Sequence, residues 1–191
     1  MKRSAILTGV LALAAPLAFA QSSTWVSDPN HSEVDFTVTH LSISKVHGRF
    51  GNVRATLVYN EADVTKSSVQ VNIDAATVDT GVAPRDSDLK SANFFDVANF
   101  PSATFTSTGV AKNGNKLTVT GNFTLHGTTR PVTLDVEGPS GPVEGMDHKP
   151  HAGFSASGTI TRTAFGIGSK YPATVVGDDV TLNIELDVVK Q

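Results

Sequence analysis

From Val180 to Val188 every second residue is apolar: Val180, Leu182, Ile184, Leu186 and Val188, with polar residues between them. Successive side chains of a strand point to opposite faces, so this segment reads as a strand with one face buried. The same period recurs in Val34, Phe36 and Val38, with His40 in phase and Glu33, Asp35, Thr37 and Thr39 on the other face. It returns through Val53 to Tyr59, Val69 to Ile73, Leu117 to Leu125, Val132 to Val136 and Ala152 to Ile160, and a further strand carries Phe105. The chain thus holds roughly eight strands, an all-β pattern that predicts an antiparallel barrel or a sandwich. Asn113-Gly114-Asn115 is a hairpin turn, because these residues tolerate positive φ. Gly48 and Gly51 interrupt Val46–Tyr59, which predicts a bulge or sharp curve in one long strand. Residues 138–150, rich in Gly and Pro, predict an exposed loop. A barrel of about eight strands just accommodates one small ligand. The small in-phase residues Ala152, Ala156 and Gly158 either leave room for such a cavity or mark tight bends.

One stretch breaks the alternation. Between Arg85 and Pro101 apolar residues include 89, 92, 94, 95, 98 and 100, a spacing suited to one or two short helical turns. Pro84, Asp86 and Ser91 supply helix starts and Pro101 a stop. Phe94 and Phe95 must be buried against something, which makes the insert a plug or lid over the mouth of the barrel, or a cover for a sheet edge.

Lys2 and Arg3 precede an uncharged, mostly apolar run from Ala5 to Phe19, closed by Ala18-Phe19-Ala20. This is the pattern of a cleaved secretory signal peptide over 1–20, leaving one domain over 21–191. Removal of Lys2 and Arg3 takes the 15 basic residues to 13 against 18 acidic, so the formal charge moves from −3 to −5. That balance disfavours nucleic acid as a partner, and no later stretch reaches membrane-spanning length. With no cysteine in the chain, disulfides, zinc–thiolate sites and cysteine nucleophiles are excluded. No Gly-x-Ser-x-Gly elbow or phosphate-binding glycine loop is present. His148-x-x-His151 has chelating spacing but sits in the Gly/Pro-rich stretch, and it forms no recognisable metal signature. His126 lies at a strand-to-turn junction, where its ring can bond the backbone. Arg85, Asp86 and Arg162 are either pins for the insert or polar groups at a pocket rim.

Several motifs together resemble one family. Trp25-Val-Ser-Asp-Pro-Asn-His-Ser-Glu-Val-Asp-Phe36, His40 and Val46-His-Gly-Arg-Phe50 resemble the opening of YceI-like proteins. Arg85-Asp86…Leu89…Phe94-Phe95-Asp96…Pro101 is similar to the family's insert, and Phe123-Thr-Leu-His126-Gly127 to its Leu-Thr-Ile-His-Gly element. Arg162-Thr-Ala-Phe165-Gly-Ile167 and Gly177-Asp-Asp-Val180 complete the series, in family order across the whole mature chain. Asp88 and Ala164 depart from it, standing where the family often has His and a polar residue.

The resemblance implies an extended, lipocalin-like antiparallel β-barrel of about eight strands with a short helical insert near 85–100. It implies a periplasmic, non-enzymatic protein that needs no cofactor or metal and holds a long-chain isoprenoid or other amphiphile, such as a polyprenyl lipid or quinone. The expected lumen residues are Phe36, Val38, His40, Phe50, Phe105, Phe123, Phe154 and Leu182, with Arg85, Asp86 and Arg162 at a polar rim. A homodimer stays open, as do three rival readings: a quinone-linked or hydrolytic enzyme using the inward His40 with Arg85 or Asp86, an exported metal-binding protein using His148 and His151, and a β-sandwich adhesion module with a filled core.

Overall fold

A computed structural model of the chain describes residues 22–191; the expected signal segment lies outside the described residues. Ten strands run in chain order as β1 (Ser22–Ser27), β2 (Glu33–His40), β3 (Ser44–Phe50), β4 (Arg54–Asn60), β5 (Ser68–Asp74), β6 (Ser102–Asn113), β7 (Lys116–Leu125), β8 (Thr128–Glu144), β9 (Pro150–Thr161) and β10 (Val176–Lys190). One helix, α1 (Ala83–Lys90), lies in the segment joining β5 to β6.

The alternating pattern sets which face each strand buries, and the ladders set how the sheet closes. The strands pair antiparallel in the order β1-β4-β5-β6-β7-β8-β9-β10, and β10 returns to β1 through Trp25–Lys190, Val26–Val189 and Ser27–Val188. That ring is a closed eight-stranded barrel. Ten segments form eight staves because β1 and β2 lie end to end along the same edge of β10, whose Val176–Glu185 half pairs with β2. β3 and β4 lie end to end beside them. The break between β3 and β4 comes where Asn52 takes φ 52°, so the expected continuous strand over 46–59 is two strands.

The turns follow local chemistry. Gly114 and Asn115 join β6 to β7, with Gly114 at φ 62°. His126 and Gly127, at φ 50° and 71°, make the two-residue turn into β8, the positive-φ pair whose twist matches that of a hairpin.

Three expectations change. β1 is a strand where no alternation announces one, because Ser23 and Ser27 occupy its inward phase beside Trp25. Their hydroxyls are satisfied locally: Trp25 Nε1 donates to Ser23 Oγ at 2.8 Å, and Ser27 Oγ donates to Val53 O at 2.9 Å. The stretch 138–150 is mostly paired strand, since β8 runs to Glu144, β9 begins at Pro150, and only 145–149 link them. The Gly and Pro residues sit where the β8–β9 register shifts, between Glu137 and Ser140 and between Ser140 and Val143. Gly158 leaves no space, because a Cβ there would stand 2.7 Å from Leu134 Cδ2. Gly121 is likewise covered by the Phe105 ring, with which a methyl group would collide.

The barrel has two unlike ends. At the insert end lie the β2–β3 tip, residues 75–101, the His126–Gly127 turn and the segment 162–175. At the far end lie the 3₁₀ turn Val64–Lys66 and the tips of the β6–β7 and β8–β9 hairpins. The main core cluster, including Val53, Ile73, Phe105, Phe123, Ile160 and Phe165, lies toward the insert-end half. A smaller cluster of Trp25, Ala152 and Val188 packs with Leu57, Tyr59, Phe154 and Leu186 nearer the far end.

Candidate functional site

The inward residues of the middle and far half, such as Leu57, Val69, Val71, Val110, Val136 and Ile184, are only half-buried although they face the inside of the barrel. They border a cavity. It gives about 220 Å³ to the centres of water-sized molecules, within about 1840 Å³ of free space that includes its opening. Its walls reach from Tyr59, Val64, Ser67 and Ser68 at the far end to Leu89, Phe94, Phe95 and Arg162 at the insert end. Along β10 the lining runs from Val176 to Val188. Twelve residue steps at about 3.3 Å, on strands tilted about 40°, correspond to roughly 30 Å along the barrel axis.

Of the expected lumen residues, Phe36, Val38, Phe50, Phe105, Phe123, Phe154 and Leu182 line this cavity. The fold brings several together. Leu182 pairs with Phe36 across the β10–β2 ladder, and the Phe36 ring meets Phe50 at 5.5 Å between centroids. Phe105 stands opposite Phe123 on β6 and β7, and Phe154 opposite Leu186 on β9 and β10.

His40 does not join them. It is in phase with Val38, but it is the last residue of β2, where a register shift on β10 between Val176 and Val180 ends the regular wall. Beyond it the chain turns through Leu41 and Ser42, and the His40 side chain is exposed to solvent.

The expected polar rim also resolves differently. Neither Arg85 nor Asp86 lines the cavity. Arg85 Nε donates to Thr80 Oγ1 at 2.8 Å and its Nη2 to Thr80 O at 3.0 Å, while Asp86 Oδ1 accepts from Thr80 N–H at 2.9 Å and from the Thr80 hydroxyl. These bonds pin the first turn of α1, which has no side-chain cap of its own. Arg162 does touch the lumen but is only 2% exposed. Its five N–H groups meet five backbone carbonyls: Nε that of Gly177 at 3.1 Å, Nη1 those of Ile167 at 2.9 Å and Gly168 at 2.7 Å, Nη2 those of Tyr171 at 2.8 Å and Val176 at 2.7 Å. Asp178 Oδ1 lies 3.1 Å from Nη2 as a counter-charge, with no N–H left to bond it. Arg162 is therefore a structural knot for the segment 162–178, with no donor free for a ligand head group.

The insert closes this end. α1 begins with Pro84 in its first turn and stops at Ser91, whose Oγ donates to Asp88 O at 2.7 Å. Asp88 Oδ1 accepts from Asn93 Nδ2 at 2.6 Å, so this residue organises the turn that follows the helix. That turn sends Leu89, Phe94 and Phe95 onto the lumen. Phe95 packs edge-on against Phe50 at 5.3 Å, and Phe94 stacks on Tyr171 at 5.3 Å. The two phenylalanines bind the insert to both sides of the barrel mouth.

The lining has little polarity. Among the described residues its polar members are Tyr59, Ser67 and Ser68 at the far end and the saturated Arg162. Tyr59 was legible as the last in-phase position after Leu57, whereas Ser67 and Ser68 carry no sequence signal. No histidine lines the cavity. His126 Nδ1 contacts Phe165 O at 3.2 Å and its ring packs edge-on against Phe100. His151 is bracketed by Asp187 at 2.8 Å and Asp147 at 3.1 Å, whereas His148 faces Glu144 at 3.1 Å, so the two imidazoles are engaged separately. Hydrogen bonds from Asp187 first and Asp147 second raise the His151 pKa above the usual imidazole range.

Comparison with known proteins points the same way as this geometry. The YceI-like domain model matches residues 25–188. Protein YceI of Salmonella newport is 40% identical over 166 residues, covering 84% of this chain and 83% of the relative. The crystal structure of the Campylobacter jejuni YceI protein superposes with a TM-score of 0.71 at 32% identity, over 80% of this chain and 90% of that one. Burkholderia cenocepacia BcnA gives a TM-score of 0.75 at 27% identity, over 84% and 98%. A polyisoprenoid binding domain from Saccharophagus degradans, implicated in plant cell wall breakdown, gives 0.64 at 16% identity over 90% and 100%, a likeness of fold. With the family model matching residues 25–188, from β1 into β10, and a relative 40% identical over 166 residues, the chain belongs to the YceI-like family.

Proposed function

We propose that the protein is exported to the periplasm and holds a long-chain amphiphile, of isoprenoid type, in its barrel lumen without transforming it. The observation that carries this reading is an elongated apolar cavity of about 220 Å³ whose one charged lining group, among the described residues, has every donor occupied. Such a wall rewards hydrocarbon. Each buried methylene contributes about 0.8 kcal/mol, so a chain needs no directional contact to bind, although association and ordering costs subtract heavily from the gross sum. A length of roughly 30 Å suits an extended chain better than a compact metabolite. The fold shared with the polyisoprenoid binding domain of Saccharophagus degradans supports the same ligand class.

Export is proposed from Lys2-Arg3, the apolar run Ala5–Phe19 and Ala18-Phe19-Ala20. The absence of any histidine from the lumen lining favours a carrier over chemistry at His40. A titration with isoprenoid quinones and alcohols of graded length tests the reading. Affinity rises about fourfold per added methylene equivalent until the lumen is full, then levels off. Affinity independent of chain length contradicts it. Osmotic-shock fractionation with N-terminal sequencing tests export; a start at Gln21 in the shock fluid is expected, and an uncleaved cytoplasmic product overturns it.

A further inference from the structure

The β2–β3 hairpin projects beyond the closed ring at the insert end, and its tip is apolar. Leu41 is 48% and Ile43 84% exposed, and Leu41 sits at φ 49°, a conformation uncommon for leucine. The Leu41 N–H donates to Val175 O at 2.9 Å, which fixes the tip against the segment entering β10. Val38 and Val176, just inside this junction, line the lumen.

The hairpin beyond Asp35 is cationic, although Asp79, Asp86, Asp88 and Asp96 lie elsewhere at the insert end. From Phe36 to Phe50 there is no acidic residue, while Lys45 and Arg49 are present, in a mature chain of 13 basic and 18 acidic residues. Arg49 pairs with Asp79 and the Lys170 ammonium donates to Asn93 Oδ1 at 2.6 Å, whereas Lys45 is exposed beside the tip. Apolar side chains at a hairpin tip flanked by long cationic ones match a bilayer interface, where the chains enter the headgroup–acyl boundary and the ammonium groups meet anionic lipid. The far end is a built-in contrast. Val143 and Met146 are also exposed there, with Glu144 and Asp147 next to them and Lys149 beyond.

We propose that the β2–β3 tip docks the barrel onto anionic lipid bilayers, with the insert end facing the membrane. The Leu89–Phe94–Phe95 closure then lies where a ligand passes between bilayer and lumen. The docking surface stands on its own observations; only its purpose rests on the lumen reading.

Flotation of the purified mature protein with vesicles tests it. The protein co-floats with phosphatidylcholine vesicles containing about 30% phosphatidylglycerol, less so with phosphatidylcholine alone, and salt weakens the association. Ile43→Asp lowers partitioning at least about tenfold and Lys45→Glu weakens it on anionic vesicles only, while Met146→Asp at the far end leaves it unchanged. Circular dichroism and retained ligand check folding, and Ile43→Ser replaces the aspartate variant if that one misfolds. Equal flotation with both vesicle types, or equal loss in the Met146 variant, overturns the proposal. So does sedimentation showing that Ile43→Asp abolishes a dimer while vesicle binding is absent, which assigns the tip to a second copy of the chain. Ala156→Trp, which fills the lumen, leaves vesicle binding intact, so failure of the lumen reading and failure of docking give different results.

Discussion

Arg162→Ala removes a guanidinium that is 2% exposed and donates to five carbonyls. The carbonyls of Ile167, Gly168, Tyr171, Val176 and Gly177 lose their partner together, and Asp178 loses its counter-charge. Asp178, with a side chain 38% exposed, regains water. Leaving desolvated carbonyls without a donor costs about 1–3 kcal/mol each, so the loss is about 3–5 kcal/mol even when most of them find water. With a urea m-value of about 2 kcal/mol/M, the midpoint falls by about 1.5–2.5 M. Arg162→Lys is no rescue: an ammonium has three donors, so at least two carbonyls stay unsatisfied at about 1–3 kcal/mol each. Urea titrations of wild type and both variants, followed by fluorescence and circular dichroism, read these shifts. At a urea concentration where the variants remain folded, ligand affinity stays close to wild type, since Arg162 has no donor to give. A midpoint shift below about 0.5 M with a collapse in ligand affinity would refute the reasoning and place the guanidinium on a ligand head group.

Ala156→Trp projects an indole into the hollow beside Phe154 and Ile184; it costs under about 1.5 kcal/mol because it meets free space, yet native mass spectrometry finds the protein without ligand. Gly121→Ala does the opposite, driving a methyl group into the Phe105 ring in the packed half, and costs about 1–3 kcal/mol in thermal or urea unfolding. His151, whose pKa is raised by Asp187 and Asp147, stabilises the fold fully below the unfolded histidine value of about 6.5, and this contribution is lost as pH rises through the higher folded value. The Tm difference between wild type and His151→Gln is therefore larger at about pH 5.5 than at about pH 8.5, and NMR titration of the ring checks the direction.

Alternation carried most of this fold into the sequence. In β10, Val180 to Val188 are all on the lumen side, as their spacing requires, and β4, β5, β7 and β8 follow the same rule. What alternation does not carry is where a strand ends or what a side chain meets. His40 has the right phase and the wrong position, two residues past the last regular pair at Val38. β1 escaped detection because Ser23 and Ser27 are inward polar residues satisfied by contacts invisible in a linear pattern. The Gly and Pro residues between 138 and 150 read as a loop, although the β8–β9 ladder absorbs Gly138, Pro139, Gly141 and Pro142 as register shifts toward its far end. Arg162 was legible as important but not as saturated, since its five acceptors come from a segment whose path depends on the arginine itself. The insert was the clearest case of the reverse. Phe94 and Phe95 broke the period and required a burial site, and the barrel mouth supplies it.

The central claim is that the lumen holds a long-chain amphiphile, and native mass spectrometry of the protein purified from its own cells tests it most directly. The account predicts a one-to-one adduct, released by organic extraction and identified as an isoprenoid-type chain, that is absent from Ala156→Trp prepared in parallel. An apo mass that stays apo after incubation with polyprenyl lipids and quinones would contradict it.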